Sequence, residues 1–93
     1  MIIGTARIEM HIPGAGSLKQ KRAVVRSLKE RMISRLRVSA AEVDHLDLWQ
    51  RATLGVAVVG GDRRTVNSVL TRAVRLCEGE MRVSVIDVVV EIL

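Results

Sequence analysis

The chain has no phenylalanine and no tyrosine, and only one tryptophan, one cysteine and one proline among its 93 residues. Each shortage excludes something. A lone cysteine closes no internal disulfide, so nothing points to an oxidising compartment. The N-terminus lacks the basic-then-apolar layout of a secretory leader. No apolar run approaches the roughly 20 residues that a membrane-spanning helix needs. A cytoplasmic protein that makes no use of membranes is the expectation. With Trp49 the sole aromatic, the core has to be assembled from Val, Ile, Leu, Met and Ala.

What is present suffices for one domain over residues 1–93. Hydrophobic residues make up 48% of the chain, enough to fill a single core. From Ile2 to Ile12 the pattern alternates, with Ile2, Ala6, Ile8, Met10 and Ile12 on one side and Thr5, Arg7, Glu9 and His11 on the other. Period two predicts a half-buried strand, ended by the turn residues Pro13-Gly14-Ala15-Gly16. Ser17 and Gln20 then form a capping box, and Leu18, Val25, Leu28, Met32 and Leu36 fall on one face of a helix running to about Leu36. Arg37 to Val43 predicts a weaker strand, and Asp44 to Gln50 a structured loop or short helical turn. Ala52 to Val59 predicts a central strand, with small residues (Thr53, Gly55, Ala57) on one side of it. After the Gly60-Gly61-Asp62 turn, Val66, Val69, Leu70, Ala73, Val74 and Cys77 trace a second helix that Gly79 stops. Met81 to Leu93 predicts a last strand whose apolar phase slips near Ile86-Asp87, the mark of a bulge or of a strand buried on both faces. The order β-α-β-β-α-β makes this an α+β chain. It predicts a ferredoxin-like split βαβ sandwich, a four-stranded antiparallel sheet with two helices on one face. The sheet's other face, partly apolar, offers a homodimer surface.

Charge is regional. Between Ser17 and Arg37 stand eight bases (Lys19, Lys21, Arg22, Arg26, Lys29, Arg31, Arg35, Arg37) against one acid, Glu30, so this segment is +7 and the remainder −2. A concentrated patch of this kind suits a polyanion. Its first part, the loop residues Gly14 and Gly16 leading to Ser17, Lys19, Lys21 and Arg22, places cations at the positive end of a helix dipole, which is unfavourable unless an anion sits there. Further along, Lys19, Arg22, Arg26 and Lys29 are spaced 3, 4 and 3 and form a stripe that fits a phosphate backbone. The plain alternative for both features is a solvated helix with an ordinary cap. Trp49, with Arg51 beside it, is either a stacking platform for a base or an anchor in the core or a dimer. A comparison with RNA-recognition modules that stack bases on sheet aromatics fails, because these strands have none.

No Ser-His-Asp, Cys-His or paired-carboxylate arrangement is visible, and His11, His45, Glu42, Asp44 and Asp47 have no metal-ligand spacing. The expectation is a protein without catalytic residues, metal or cofactor, and Cys77 on the apolar stripe is expected to be a packed, inert thiol.

Two strings resemble a known family. Met10-His11-Ile12-Pro13-Gly14-Ala15-Gly16-Ser17-Leu18-Lys19-Gln20-Lys21-Arg22 is similar to the signature of the YlxP-like bacterial family of unknown function. So is Asp47-Leu48-Trp49-Gln50-Arg51-Ala52, followed by Leu54 to Val59. The likeness spans essentially the whole chain and implies a ferredoxin-like fold. It carries over no catalytic residue. Genes of that family often stand beside that of ribosome-binding factor A, among translation and transcription genes, which implies a place near RNA or the ribosome. Three readings follow: an RNA- or ribosome-associated module docking through the first helix, a dimeric sensor binding a small anion at residues 14–22, and a structural dimer whose basic helix meets an acidic protein.

Overall fold

Alternation of apolar and polar residues at period two can bury only one face of a strand, and the sheet is built on that rule. The computed structural model describes all 93 residues. Its elements run β1 (Ile2–His11), α1 (Leu18–Leu36), β2 (Ser39–Asp44), β3 (Arg51–Gly60), α2 (Arg63–Glu78) and β4 (Ser84–Ile92). The four strands form one sheet in the order β2-β3-β1-β4, every neighbouring pair antiparallel. This is the ferredoxin-like α+β arrangement that the element order implied.

Both helices cover the same face. Ala6, Ile8, Met10 and Ile12 meet Ala52, Leu54 and Val56 from the sheet, Val25, Leu28 and Met32 from α1, and Val66, Leu70, Ala73 and Cys77 from α2. The resulting core is aliphatic and sulfur-containing throughout. Gly4 is required where β1 passes under α2, because a Cβ there would run into the side chains of Val66 and Leu70. Burial pushes the Cys77 thiol up to about 12, so it stays protonated and unreactive at neutral pH. No helix is long and apolar enough to cross a membrane.

The caps explain where the helices begin. Ser17 Oγ accepts from the Gln20 N–H, and Gln20 Oε1 accepts from the Gly16 N–H at 2.6 Å, so the box closes one residue earlier than the standard form. Asp62 caps α2 through the Thr65 N–H. At the other end α1 stops at Arg37, which sits in the left-handed region at φ 55. The following strand therefore starts at Ser39 rather than Arg37. Gly79 does end α2, but with a right-handed backbone, so its conformation does not require glycine.

Two bulges adjust the edges. Glu9 pairs with Asp87 and Met10 with Val85, which leaves Ile86 as the extra residue in β4, at the place where the apolar phase slips. In β2, Glu42 pairs with Leu54 and Asp44 with Thr53, leaving Val43 extra. That second bulge turns both Val43 and Asp44 toward the open face of the sheet, where Val43 packs over Gly55 and Asp44 meets Arg7 at 2.9 Å. A side chain at position 55 would stand in Val43's place.

Candidate functional site

Lysine at position 21 is the first surprise of the molecule. It belongs to the expected anion site, yet its side chain is completely buried. The reason is helical geometry: position 21 lies one turn before Val25 on the face that α1 turns to the core. An ammonium there has to be neutralised and hydrogen-bonded. Its Nζ donates to Glu42 Oε2 at 2.7 Å and to the carbonyls of His45 at 2.9 Å and Leu46 at 3.0 Å, with that of Arg51 further off at 3.4 Å. Lys21 is thus a latch between α1 and the loop joining β2 to β3, and is unavailable to a ligand.

Other bonds reinforce that latch. Gln50 reaches from the same loop to the carbonyls of Pro13 and Ala15, and its own carbonyl accepts from the Ile12 N–H at 2.9 Å. His45 takes a left-handed backbone, φ 59, with its N–H on Asp44 Oδ1 and its Nδ1 2.9 Å from Thr53 Oγ1. The imidazole covers Thr53, which is why a threonine on the open sheet face is fully buried. The Asp44 carboxylate, holding the His45 N–H and facing Arg7, lies below its ordinary range. The two strings singled out in the sequence, around Ser17 to Arg22 and Asp47 to Ala52, therefore meet in space.

The remaining expected site residues separate into three groups. Gly14 and Gly16 have no left-handed backbone, and Gly16's N–H is taken by Gln20. The N–H groups of Gly14, Ser17, Leu18 and Lys19 have no partner there, the last two being donors that any helix start leaves over. Lys19, Arg22 and Arg26 are exposed and Lys29 half-exposed, and none of the four meets a carboxylate. By contrast Arg31, on the same helix, holds Glu80 at 2.7 Å. Trp49 and Arg51 part company. Arg51 begins β3 on the open sheet face, 3.6 Å from Glu9, whereas Trp49 stands 54% exposed on the loop, outside the core.

The helix layer as a whole is electropositive. Residues 17–37 and 62–80 contain twelve of the fifteen lysines and arginines but four of the ten acids, so the sheet and its loops carry a net negative charge. Beside the loop–helix junction lies a recess of about 390 Å³ between Pro13, Gly14, Val24 and Met81. Its one cation, Arg82, is clamped by Glu80, whose carboxyl is held down to about 2, chiefly by the Arg82 side chain and also by Arg31.

Comparison with known proteins places the chain. Residues 3–90 match the family described as a protein of unknown function, DUF503. The chain belongs to that family. It is similar to the uncharacterized protein YlxP of Bacillus subtilis (strain 168), with 39% identity over 71 residues that cover 76% of this chain and 77% of the relative. In this DUF503 member, the matched span takes in both the latch and the basic stripe of α1.

Proposed function

We propose that this DUF503 protein is an RNA-binding module that docks through α1, with structured RNA such as that of the ribosome as the class of partner. The observation that carries this reading is the row Lys19, Arg22, Arg26 and Lys29, solvent-facing and without a single carboxylate partner. Cations that stabilised only the fold would be paired, as Lys21 and Arg31 are. A further layer of arginines on α2 (Arg63, Arg64, Arg72, Arg75), likewise exposed and unpaired, extends the same field and strengthens long-range attraction of a polyanion. The geometry favours this over a small anion at residues 14–22, because the junction has used its Gly16 donor and lost Lys21 to the core.

The test is a binding titration against ribosomal subunits and structured RNA at rising salt. Four phosphate contacts give a plot of log affinity against log salt with a slope of about −3. Replacing Lys19, Arg22, Arg26 and Lys29 together by glutamine should remove most of that slope and most of the affinity. Binding that ignores salt, or that survives the fourfold change, overturns the reading. Recovery of one acidic protein from a nuclease-treated pull-down, with no RNA binding, would replace RNA by that protein.

A further inference from the structure

The loop between β2 and β3 combines two properties that normally exclude each other. It is fixed by an unusual amount of structure, and its large side chains face solvent. Lys21 holds the carbonyls of His45 and Leu46, Gln50 holds those of Pro13 and Ala15, and the Leu48 N–H returns to the His45 carbonyl at 3.1 Å. Yet Leu46 is 51% exposed, Leu48 48% and Trp49 54%. Burying an ammonium and holding His45 in a left-handed conformation are both unfavourable, and neither yields apolar burial for this loop. What they achieve is a fixed position for its tip. That position is the start of α1: Gln50, next to Trp49, is bonded to the residues just before the Ser17 cap, and the basic stripe begins two residues after it.

From this juxtaposition we infer that Trp49 is a stacking platform for an unpaired nucleobase whose flanking phosphates lie on the α1 stripe, so that the preferred partner is RNA with single-stranded or splayed-out bases rather than a continuous duplex. The inference rests on the RNA reading above and narrows it. Charge complementarity selects a polyanion, and a half-exposed indole on a loop tied to the start of α1 selects one that carries flat, accessible rings. A base within a duplex is stacked on its neighbours and cannot reach the indole.

The absence of tyrosine and of any second tryptophan makes Trp49 the only source of the chain's intrinsic fluorescence at tryptophan wavelengths. The experiment titrates the protein with a single-stranded RNA of about 12 nucleotides and with a duplex of equal length. It follows tryptophan emission for the wild type and the fourfold glutamine variant, and affinity for these two and Trp49→Ala. The expected result is quenching by the single strand and not by the duplex. Trp49→Ala should weaken single-strand binding roughly ten- to hundredfold while leaving the salt slope unchanged. Because Trp49 is half exposed, that variant should unfold at the wild-type temperature, which a thermal melt verifies. Unquenched binding that Trp49→Ala leaves intact but the fourfold variant abolishes overturns the stacking inference and leaves the RNA reading standing. Equal quenching by duplex and single strand overturns the selectivity. No binding of the wild type to either RNA at low salt overturns both.

Discussion

Lys19 and Lys21 are two residues apart on one helix, chemically identical, and have opposite fates. Lys19 is in solvent without a partner, whereas Lys21 is sealed between the helix, Glu42 and the loop joining β2 to β3. A spacing of two residues turns a helical side chain through about 200°, more than half a circuit, so one lysine faces out when the other faces in. The difference teaches how to treat a basic segment. Its formal charge says little until each cation has been assigned either to the fold or to a partner, and pairing with carboxylates makes that assignment. By that criterion Lys21 and Arg31 belong to the fold, and Lys19, Arg22, Arg26 and Lys29 remain for a ligand.

Stability measurements can break the comparison most directly. Lys21→Ala leaves the Glu42 carboxylate and two loop carbonyls without their donor, and is expected to cost about 3–5 kcal/mol. In a domain this small, that lowers Tm by well over 10 °C. Lys19→Ala should stay within about 0.5 kcal/mol of wild type. Similar losses in the two variants, read by urea or thermal unfolding, would abolish the distinction. The pair Lys21→Met with Glu42→Leu sharpens it. Removing both charges should recover part of the loss, leaving about 1–3 kcal/mol for the unsatisfied carbonyls.

Acid tests the intermediate case, Arg31. Its partner Glu80 has a carboxyl held at about 2 in the folded chain against an ordinary 4.5, by Arg82 first and Arg31 after it. A depressed value means that the folded state favours the ionised form. The stabilisation is complete above about pH 4.5 and drains away as the pH falls toward 2. Tm should decline over that window, and Glu80→Gln should flatten the decline while lowering Tm at neutral pH. Asp62, lowered by the Thr65 N–H that it caps, acts in the same direction. The smallest effect concerns Arg37, an unpaired cation in a left-handed conformation. If such cations do nothing for the fold, Arg37→Gly should gain up to about 1 kcal/mol, a shift that a denaturation midpoint resolves.

The architecture was legible because it follows from local patterning. Period two in β1 and β3, the stripe in α2, the Ser17 cap and even the Ile86 slip are properties of neighbouring residues. The Lys21 latch was not, since its partners lie 21 to 30 residues away. One local signal did exist. The apolar face of α1 runs Leu18, then nothing until Val24 and Val25, and Lys21 stands in that gap. A helix that omits an apolar residue one turn from its start, and places a lysine there, has room for a buried ammonium. The exposure of Trp49 had no such signal, because a single aromatic in a polar loop reads equally well as anchor or platform. The Val43 bulge escaped as well, since β2 is too short for its alternation to reveal a slip.

The two outer strands have a consequence for solubility. In the order β2-β3-β1-β4, β2 and β4 carry the free hydrogen-bonding edges of the sheet. Each contains two carboxylates (Glu42 and Asp44, Asp87 and Glu91) and no base. Those of β2 are matched by Lys21 and Arg7, whereas Asp87 and Glu91 are unpaired, so joining two copies through their β4 edges brings uncompensated negative charge together and is disfavoured at neutral pH. Protonating those groups removes the barrier, and acid solution is where this small sheet should begin to grow.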